Sequence, residues 1–338
     1  GPIFLYTPMR GVCSKERTEC IAIGYYNYFA SKMEIRLLHT EMPHVPCPNC
    51  KQSVFAVDAA NLYSYFQAAP ICCEKCNRPV DWWTLLLKHA ELRIPFYLYG
   101  LVGAYTTLFV LRMKPNEITP LDLADIGVPA DAHILNMNYT PNGPGLFPIE
   151  VHGNAPIRHF APHKLQLFGL PFGEPATSTP VAISVSWVQT VHGEESWQNL
   201  VQALEAYSIN KFDSAIVPAN VAVESRLASL LQEYYSRFAS QNRIEDFLTN
   251  RATYSYQLNV LLPVMTHYLN FPNLPNHIVA ELNKLRNMRN NIAHKGKLAK
   301  RLDKSDCARL VCASIFGFGF VELLEKQLRE NACALPRK

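Results

Sequence analysis

Leu285-Arg286-Asn287-Met288-Arg289-Asn290-Asn291-Ile292-Ala293-His294-Lys295-Gly296 sets an arginine, an amide and a histidine within six positions near the end of the chain. At about 100° per residue, Ile278, Leu282, Leu285, Met288 and Ile292 fall in one arc. The pattern predicts an amphipathic helix over 275–293 with that arc against a core and Gly296 as its stop. Arg289 falls inside the arc, and a guanidinium there needs a partner, because burying it alone is costly. His294 lies about 140° from Arg289 on an ideal helix. Either the helix ends or distorts near Ala293, or the site is completed across a dimer. An arginine neutralises a phosphate and a histidine moves protons, so the trio suits phosphodiester chemistry.

Helical periodicity with few glycines also runs over 205–237 and 305–330. Pro218 inside the first stretch predicts a kink or a late start. Ile216, Val223, Leu227, Leu230 and Tyr234 form its apolar stripe, and Asp213, Asn220 and Glu224 align on one flank at spacings of seven and four. An acidic residue on that flank is the expected partner of Arg289. The texture changes at His192-Gly193-Glu194-Glu195, which marks a boundary near 192–196. Before it, 94–192 is rich in Pro, Gly and strand formers, with a turn over 138–145 and strand alternation over 181–188. The uncharged 94–111 stretch is broken by Pro95, Gly100 and Gly103, which favours a pair of buried β-strands over a membrane span. Short β-like runs occupy 3–6, 21–28 and 34–38.

Cys47-Pro48-Asn49-Cys50 and Cys73-Glu74-Lys75-Cys76 are two C-x-x-C knuckles 22 residues apart. Each can place two thiolates at one edge of a tetrahedron, as a closed structural Zn²⁺ site requires. Cys72 and His44 remain alternative ligands. Metal loss is expected to unfold the N-terminal region and spare the helices. Cys307, Cys312 and Cys333 are spaced as buried helix positions.

A chain of 338 residues with 49% hydrophobic and 18% charged residues has globular composition, and its net charge of +4 is too small to declare a nucleic-acid binder. The distribution says more: from Lys284 to Arg309 there are nine Lys or Arg against two Asp. Arg286, Lys295, Lys297, Lys300 and Arg301 are the candidate RNA contacts. Gly1-Pro2 without a Met reads as a tag-cleavage scar, no secretory leader is read, and reduced thiols in the cytoplasm are expected. No P-loop, dinucleotide fingerprint or Gly-x-Ser-x-Gly occurs.

The Arg289-Asn290-x-x-Ala293-His294 string resembles the Arg-x4-6-His signature of the HEPN superfamily, all-helical domains that include many metal-independent RNases. The resemblance spans about the last 145 residues, since 212–224 also resembles the helix that precedes the motif helix in that family. It implies a homodimer whose two motif helices meet in a basic cleft, and cleavage of RNA by ribose 2′-hydroxyl attack. In that reading His294 transfers protons, Arg289 stabilises phosphoryl charge, Asn290 orients the histidine or the phosphate, and Glu224 is the polar residue of the preceding helix. It further implies a toxin or antiphage effector with a sensing front region; the alternative is a HEPN-like module that binds RNA or dimerises without catalysis. The expected architecture is α+β multidomain: an N-terminal region (1–93) with a zinc ribbon at 47–76, a β-rich domain (94–193) and an all-α HEPN-like bundle (194–338).

Overall fold

The β-rich half is built from antiparallel pairs. Strand β1 (Ile35–Glu41) pairs with β4 (Tyr105–Met113), β4 with β9 (Thr179–Gln189), and β9 with β6 (Ala132–Pro141), giving the order β1-β4-β9-β6. A second sheet has the order β5-β8-β7, from Ile118–Asp122, Lys164–Phe172 and Gly145–Glu150. The chain's computed structural model describes residues 35–41, 44–92, 96–143, 145–151, 163–174, 176–189, 195–296, 298 and 301–334. The β-like runs expected at 3–6 and 21–28, and Lys297, Lys300 and the Cys333 side chain, lie outside what is described.

Alternation along β9 sends Val181, Ile183 and Val185 inward to meet Phe109, Leu111 and Met113 of β4, with Leu146, Leu165 and Leu167 supplied by the second sheet. Buried hydroxyls are paired across strands: Trp187 Nε1 donates to Thr107 Oγ1 at 3.0 Å, and Thr106 and Ser186 hydroxyls meet at 3.2 Å. The opposite face of the larger sheet sends Leu135 and Val188 into the helical core. There His133 Nε2 of β6 lies 3.0 Å from Glu205 Oε1.

The C-terminal region is all helical, so the chain is α+β. Helices Glu195–Ser208 and Phe212–Tyr235 pack against the long Lys304–Ala334 helix and the motif helix Asn276–Lys295. Glycines let the long helix approach closely: a Cβ at Gly317 would sit 3.0 Å from Leu282 Cδ1, and one at Gly319 would sit 2.5 Å from Leu62 Cδ2. The long helix is apolar and long enough to cross a membrane, but 83% of its apolar window is buried in this core.

The structure departs from the sequence reading in several places. Residues 205–237 are two helices, separated by a turn at Asn210 (φ 59°), and the second runs through Pro218 from a start at Phe212. Pro218 is the seventh residue of this helix, so it deprives Ser214 O of its intrahelical donor, yet the helix continues through it and there is no late start. The 94–111 stretch is not two strands: Phe96–Tyr99 is helical, Gly100–Val102 forms a 3₁₀ turn, and only β4 follows. A Cβ at Gly100 would lie 2.0 Å from Val57 O, so that turn is wedged against the cysteine-rich segment. The three stretches delimited in the sequence bury two cores. Val45, Phe55, Leu62, Phe66, Trp82 and Leu86 share one continuous core with the C-terminal helices. Rings of Phe66 and Trp83 lie edge-on to Phe316, at 6.1 and 5.1 Å between centroids.

Candidate functional sites

The two cysteine knuckles are built alike. After Cys47 the chain turns so that Lys51 N donates to Cys47 O (3.0 Å), and after Cys73 so that Asn77 N donates to Cys73 O (2.8 Å). The residue following each second cysteine takes positive φ, 58° at Lys51 and 53° at Asn77. The β2–β3 hairpin (His44–Pro46 and Val54–Ala56) presents the first knuckle. Between the knuckles lies a helix, Ala59–Phe66, capped by Asp58, so the segment is two knuckles around a helix.

The four sulfurs converge within 4.8 Å of one another. Cys47 Sγ lies 3.9 Å from Cys76 Sγ, and Cys50 Sγ 3.7 Å from Cys73 Sγ. A tetrahedron of sulfurs at about 2.3 Å from a central ion has edges of about 3.8 Å, so the cluster has the size of a closed thiolate metal site. The Cys76 amide donates to Cys73 Sγ at 3.5 Å and, with the Lys75 amide and the neighbouring thiols, draws that thiol below its usual range, while burial and the same neighbours push Cys76 up to about 11. Cys47, Cys50, Cys73 and Cys76 form the set; Cys72 is exposed, bridged through its backbone to Pro79, and neither it nor His44 belongs to the cluster.

The motif helix continues through His294 to Lys295 and stops at Gly296 in the left-handed region (φ 69°), whose N–H bonds to Ile292 O at 2.8 Å. Ile278, Leu282 and Leu285 are buried, with Met288 and Ile292 packed at the edge of the core. Since the helix neither ends nor distorts at Ala293, Arg289 and His294 stay on different faces.

Arg289 is 37% exposed and sits at the rim of the core. Its Nη2 lies 3.9 Å from Glu224 Oε2, an ion pair without a hydrogen bond, and its Nη1 donates to Asn290 Oδ1 at 3.1 Å. Glu224 is fixed from behind by Asn220, which is fully buried and donates Nδ2 to Glu224 Oε2 at 2.8 Å. Thus Asn220, Glu224, Arg289 and Asn290 form one connected polar chain from the core to the surface. Asp213, on the same flank, instead accepts from Leu302 N at 3.3 Å and tethers the loop that follows the motif helix.

A pocket of about 710 Å³ opens beside this chain. Glu224, Arg286, Arg289 and Asn290 form one wall; Thr249, Tyr254 and Gln257 are on another. His294 does not line it and is exposed on the helix's last turn. Arg286 is half-buried and donates Nη2 to Asn287 Oδ1 (2.9 Å), whereas Lys295 and Arg301 are exposed. Part of the basic run is neutralised: Lys284 pairs with Asp306 at 3.2 Å, and Arg309 with Glu281 at 3.9 Å.

The sequence reading missed the Tyr254 side of the pocket, carried by helix Gln241–Asn250 and by a helical segment from Tyr254 to Tyr268 containing a π turn at Gln257–Leu261. A signal existed: Tyr254, Leu258, Leu261, Leu262 and Met265 have helical spacing and are buried. Pro263 masks it, and the π turn just before Pro263 absorbs the disruption. Burial, followed by the Glu224 carboxylate, holds the Tyr254 phenol above its ordinary range, with Arg286 pulling the other way. A comparison of the chain with protein-family models, curated proteins and solved structures finds no match to any of them.

Proposed function

We propose that the protein is an endoribonuclease whose HEPN-like helical region cleaves RNA by 2′-hydroxyl attack, working as a homodimer. The observation that carries this reading is the polar chain Asn220–Glu224–Arg289–Asn290, which holds a guanidinium at a pocket rim on the helix that presents His294 five residues later. In the first step one His294 takes the 2′-hydroxyl proton as the O2′–P bond forms. Arg289 stabilises the charge gathering on the phosphoryl oxygens. The P–O5′ bond breaks, and the partner's His294 supplies the proton to O5′, leaving a 2′,3′-cyclic phosphate and a 5′-hydroxyl. Two imidazoles divide the base and acid roles, which is the chemical argument for a symmetric pair. Lys295 and Arg301, exposed beyond the motif, would contact the RNA backbone with Arg286, Lys297 and Lys300. The four-cysteine cluster is read as a structural Zn²⁺ site: four thiolates saturate the ion, so it stiffens the fold and takes no part in cleavage.

The deciding experiment is incubation of the purified protein with total RNA, with and without EDTA, beside His294→Ala. EDTA-resistant cleavage yielding 2′,3′-cyclic phosphate ends, lost in the variant, supports the reading. Binding without cutting overturns it. The position of His294 outside the pocket favours a second reading, a HEPN-like module that binds RNA or dimerises without catalysis.

A further inference from the structure

We infer that the outer face of the β5-β8-β7 sheet is a self-association surface, which packs against the same face of a second copy of this chain. The inference is independent of the ribonuclease reading, since a dimer held there forms whether or not RNA is cut. The register fixes which side chains share the face. Ile118 of β5 and Ile149 of β7 stand opposite Phe168 of β8, Phe147 stands opposite Leu170, and Phe172 follows two residues on. The alternate positions point the other way, where Leu121, Leu146, Leu165 and Leu167 are buried in the core. An antiparallel sheet with one face in water normally alternates apolar with polar residues. This one is apolar on both faces, and among the described residues only the inner face is covered.

Ile118, Phe147, Ile149, Leu170 and Phe172 are each between 43% and 61% exposed. The Phe147 and Phe172 rings meet at 4.7 Å between centroids, so the apolar surface is continuous across β7 and β8. At roughly half exposure these side chains present about 450 Å². That equals the largest patch of an ordinary monomer, which is commonly functional. With exposed Pro120 and Gln166 and half-buried Phe168, two copies face to face would bury about 1,200 Å² in total. This reaches the lower bound of a specific, stable interface.

Charge and edge chemistry select a second copy as the occupant. Among the described residues, the charged groups at outward positions of these strands are Lys164 and Asp122, paired with each other at 3.8 Å at one end of the face. Related to itself by a two-fold axis, the face therefore meets no unbalanced charge, and its polar end becomes a rim. An added strand is discouraged, because the edge strands β5 and β7 carry Pro120 and Pro148, which have no N–H to donate. Face-to-face stacking, as in a β-sandwich, remains.

The test follows the full chain as wild type, Leu170→Glu and Leu170→Thr by light scattering and sedimentation over a dilution series. Leu170 is exposed, so circular dichroism should show the wild-type fold in both variants; threonine also keeps the strand preference should glutamate disturb it. Wild type should be a dimer and Leu170→Glu a monomer, with Leu170→Thr weakening dimerisation about tenfold. A wild-type tetramer that the variants reduce to a dimer would equally support the face. A monomeric wild type would overturn it and leave the face to a different protein or to lipid. An assembly whose mass neither variant changes would overturn it in favour of a dimer held elsewhere. A variant that melts earlier at unchanged mass would also overturn it, the face then being covered by its own chain. RNA cleavage measured alongside separates the two readings. A monomeric Leu170→Glu that still cuts RNA would keep the face and refute the two-histidine site.

Discussion

Glu224 Oε2 lies 3.9 Å from Arg289 Nη2 while accepting a 2.8 Å hydrogen bond from the buried Asn220 amide, so the carboxylate facing the motif arginine is aimed from within the core. The distance to Arg289 leaves the guanidinium able to swing onto a phosphate without breaking a short bond. In the proposed mechanism Glu224 is a positioning residue, set on its helix one turn after Asn220, which orients it.

Glu224→Gln should lower kcat/KM on RNA about tenfold, because a neutral amide holds the guanidinium less firmly. RNA affinity should stay level or rise, since one negative charge leaves the site. Asn220→Leu should lower kcat/KM similarly while costing little stability: the amide's Oδ1 is itself without a partner. Steady-state kinetics with a binding titration separates these effects. An unchanged kcat/KM for Glu224→Gln would show that Arg289 is positioned without it.

His294→Ala and Arg289→Ala should each reduce cleavage about a hundredfold or more. RNA binding should fall much less in the histidine variant, because the basic residues supply most of the salt-dependent affinity. Arg289→Lys should not rescue, since a point charge cannot engage the phosphate, Glu224 and Asn290 together as a planar fork does. Replacing the 2′-hydroxyl by hydrogen at the cut should abolish the reaction. Cleavage of that 2′-deoxy substrate would exclude the attack proposed here.

The motif helix was legible because a single period governs it: Ile278, Leu282 and Leu285 are buried as the 100° spacing requires, and Gly296 ends it. That an acidic residue on the flank of a second periodic stripe meets Arg289 was legible for the same reason, but not that it is Glu224, with Asp213 turned instead to Leu302 N. The Tyr254 wall was not, because a proline and a π turn interrupt its period. Nor could the sequence show that the cysteine knuckles and the C-terminal helices share a core. That depends on rings such as Phe66, Trp83 and Phe316 meeting across more than two hundred residues, which no local pattern encodes.

This shared core changes what metal removal should do. Elemental analysis should find about one zinc per chain. Cys47→Ser or Cys76→Ser should lower the melting temperature of the whole helical region, not of an N-terminal piece alone, because Phe66 and Trp83 would leave Phe316. Calorimetry should show one transition shifting downward. A fully stable protein without metal would dispose of the structural zinc, and a helical transition that stays in place would dispose of the coupling.

Burial pushes the Cys307 thiol up to about 12 and Cys312 upward as well. At neutral pH, native protein should react with a thiol reagent at exposed Cys72 but at neither helix cysteine, with peptide mapping as the check. The sign of the linkage is fixed by the raised values. The unfolded thiol ionises near 9 and the folded Cys307 only near 12, so its contribution is complete below pH 9 and is lost as pH climbs between them. Cys307→Ala should flatten the decline of melting temperature in that window. An identical alkaline slope in both proteins would count against it.

The distance around the helix between Arg289 and His294 makes its own demand on assembly. Because the helix runs undistorted to Lys295, one chain presents its arginine to the pocket and its histidine elsewhere. If two histidines share base and acid roles across a two-fold axis, only dimers with both imidazoles are active. Light scattering on the full chain should give a dimer; a piece beginning near Ser196 is unsuitable, because it would bare Phe316 and its neighbours. Wild type co-expressed with His294→Ala then decides the mechanism. For an equal random mixture, activity should fall to about a quarter, since only wild-type homodimers carry both groups. A chain that works alone would give about half. The linear result, or a monomer that cuts RNA, would refute the two-histidine site.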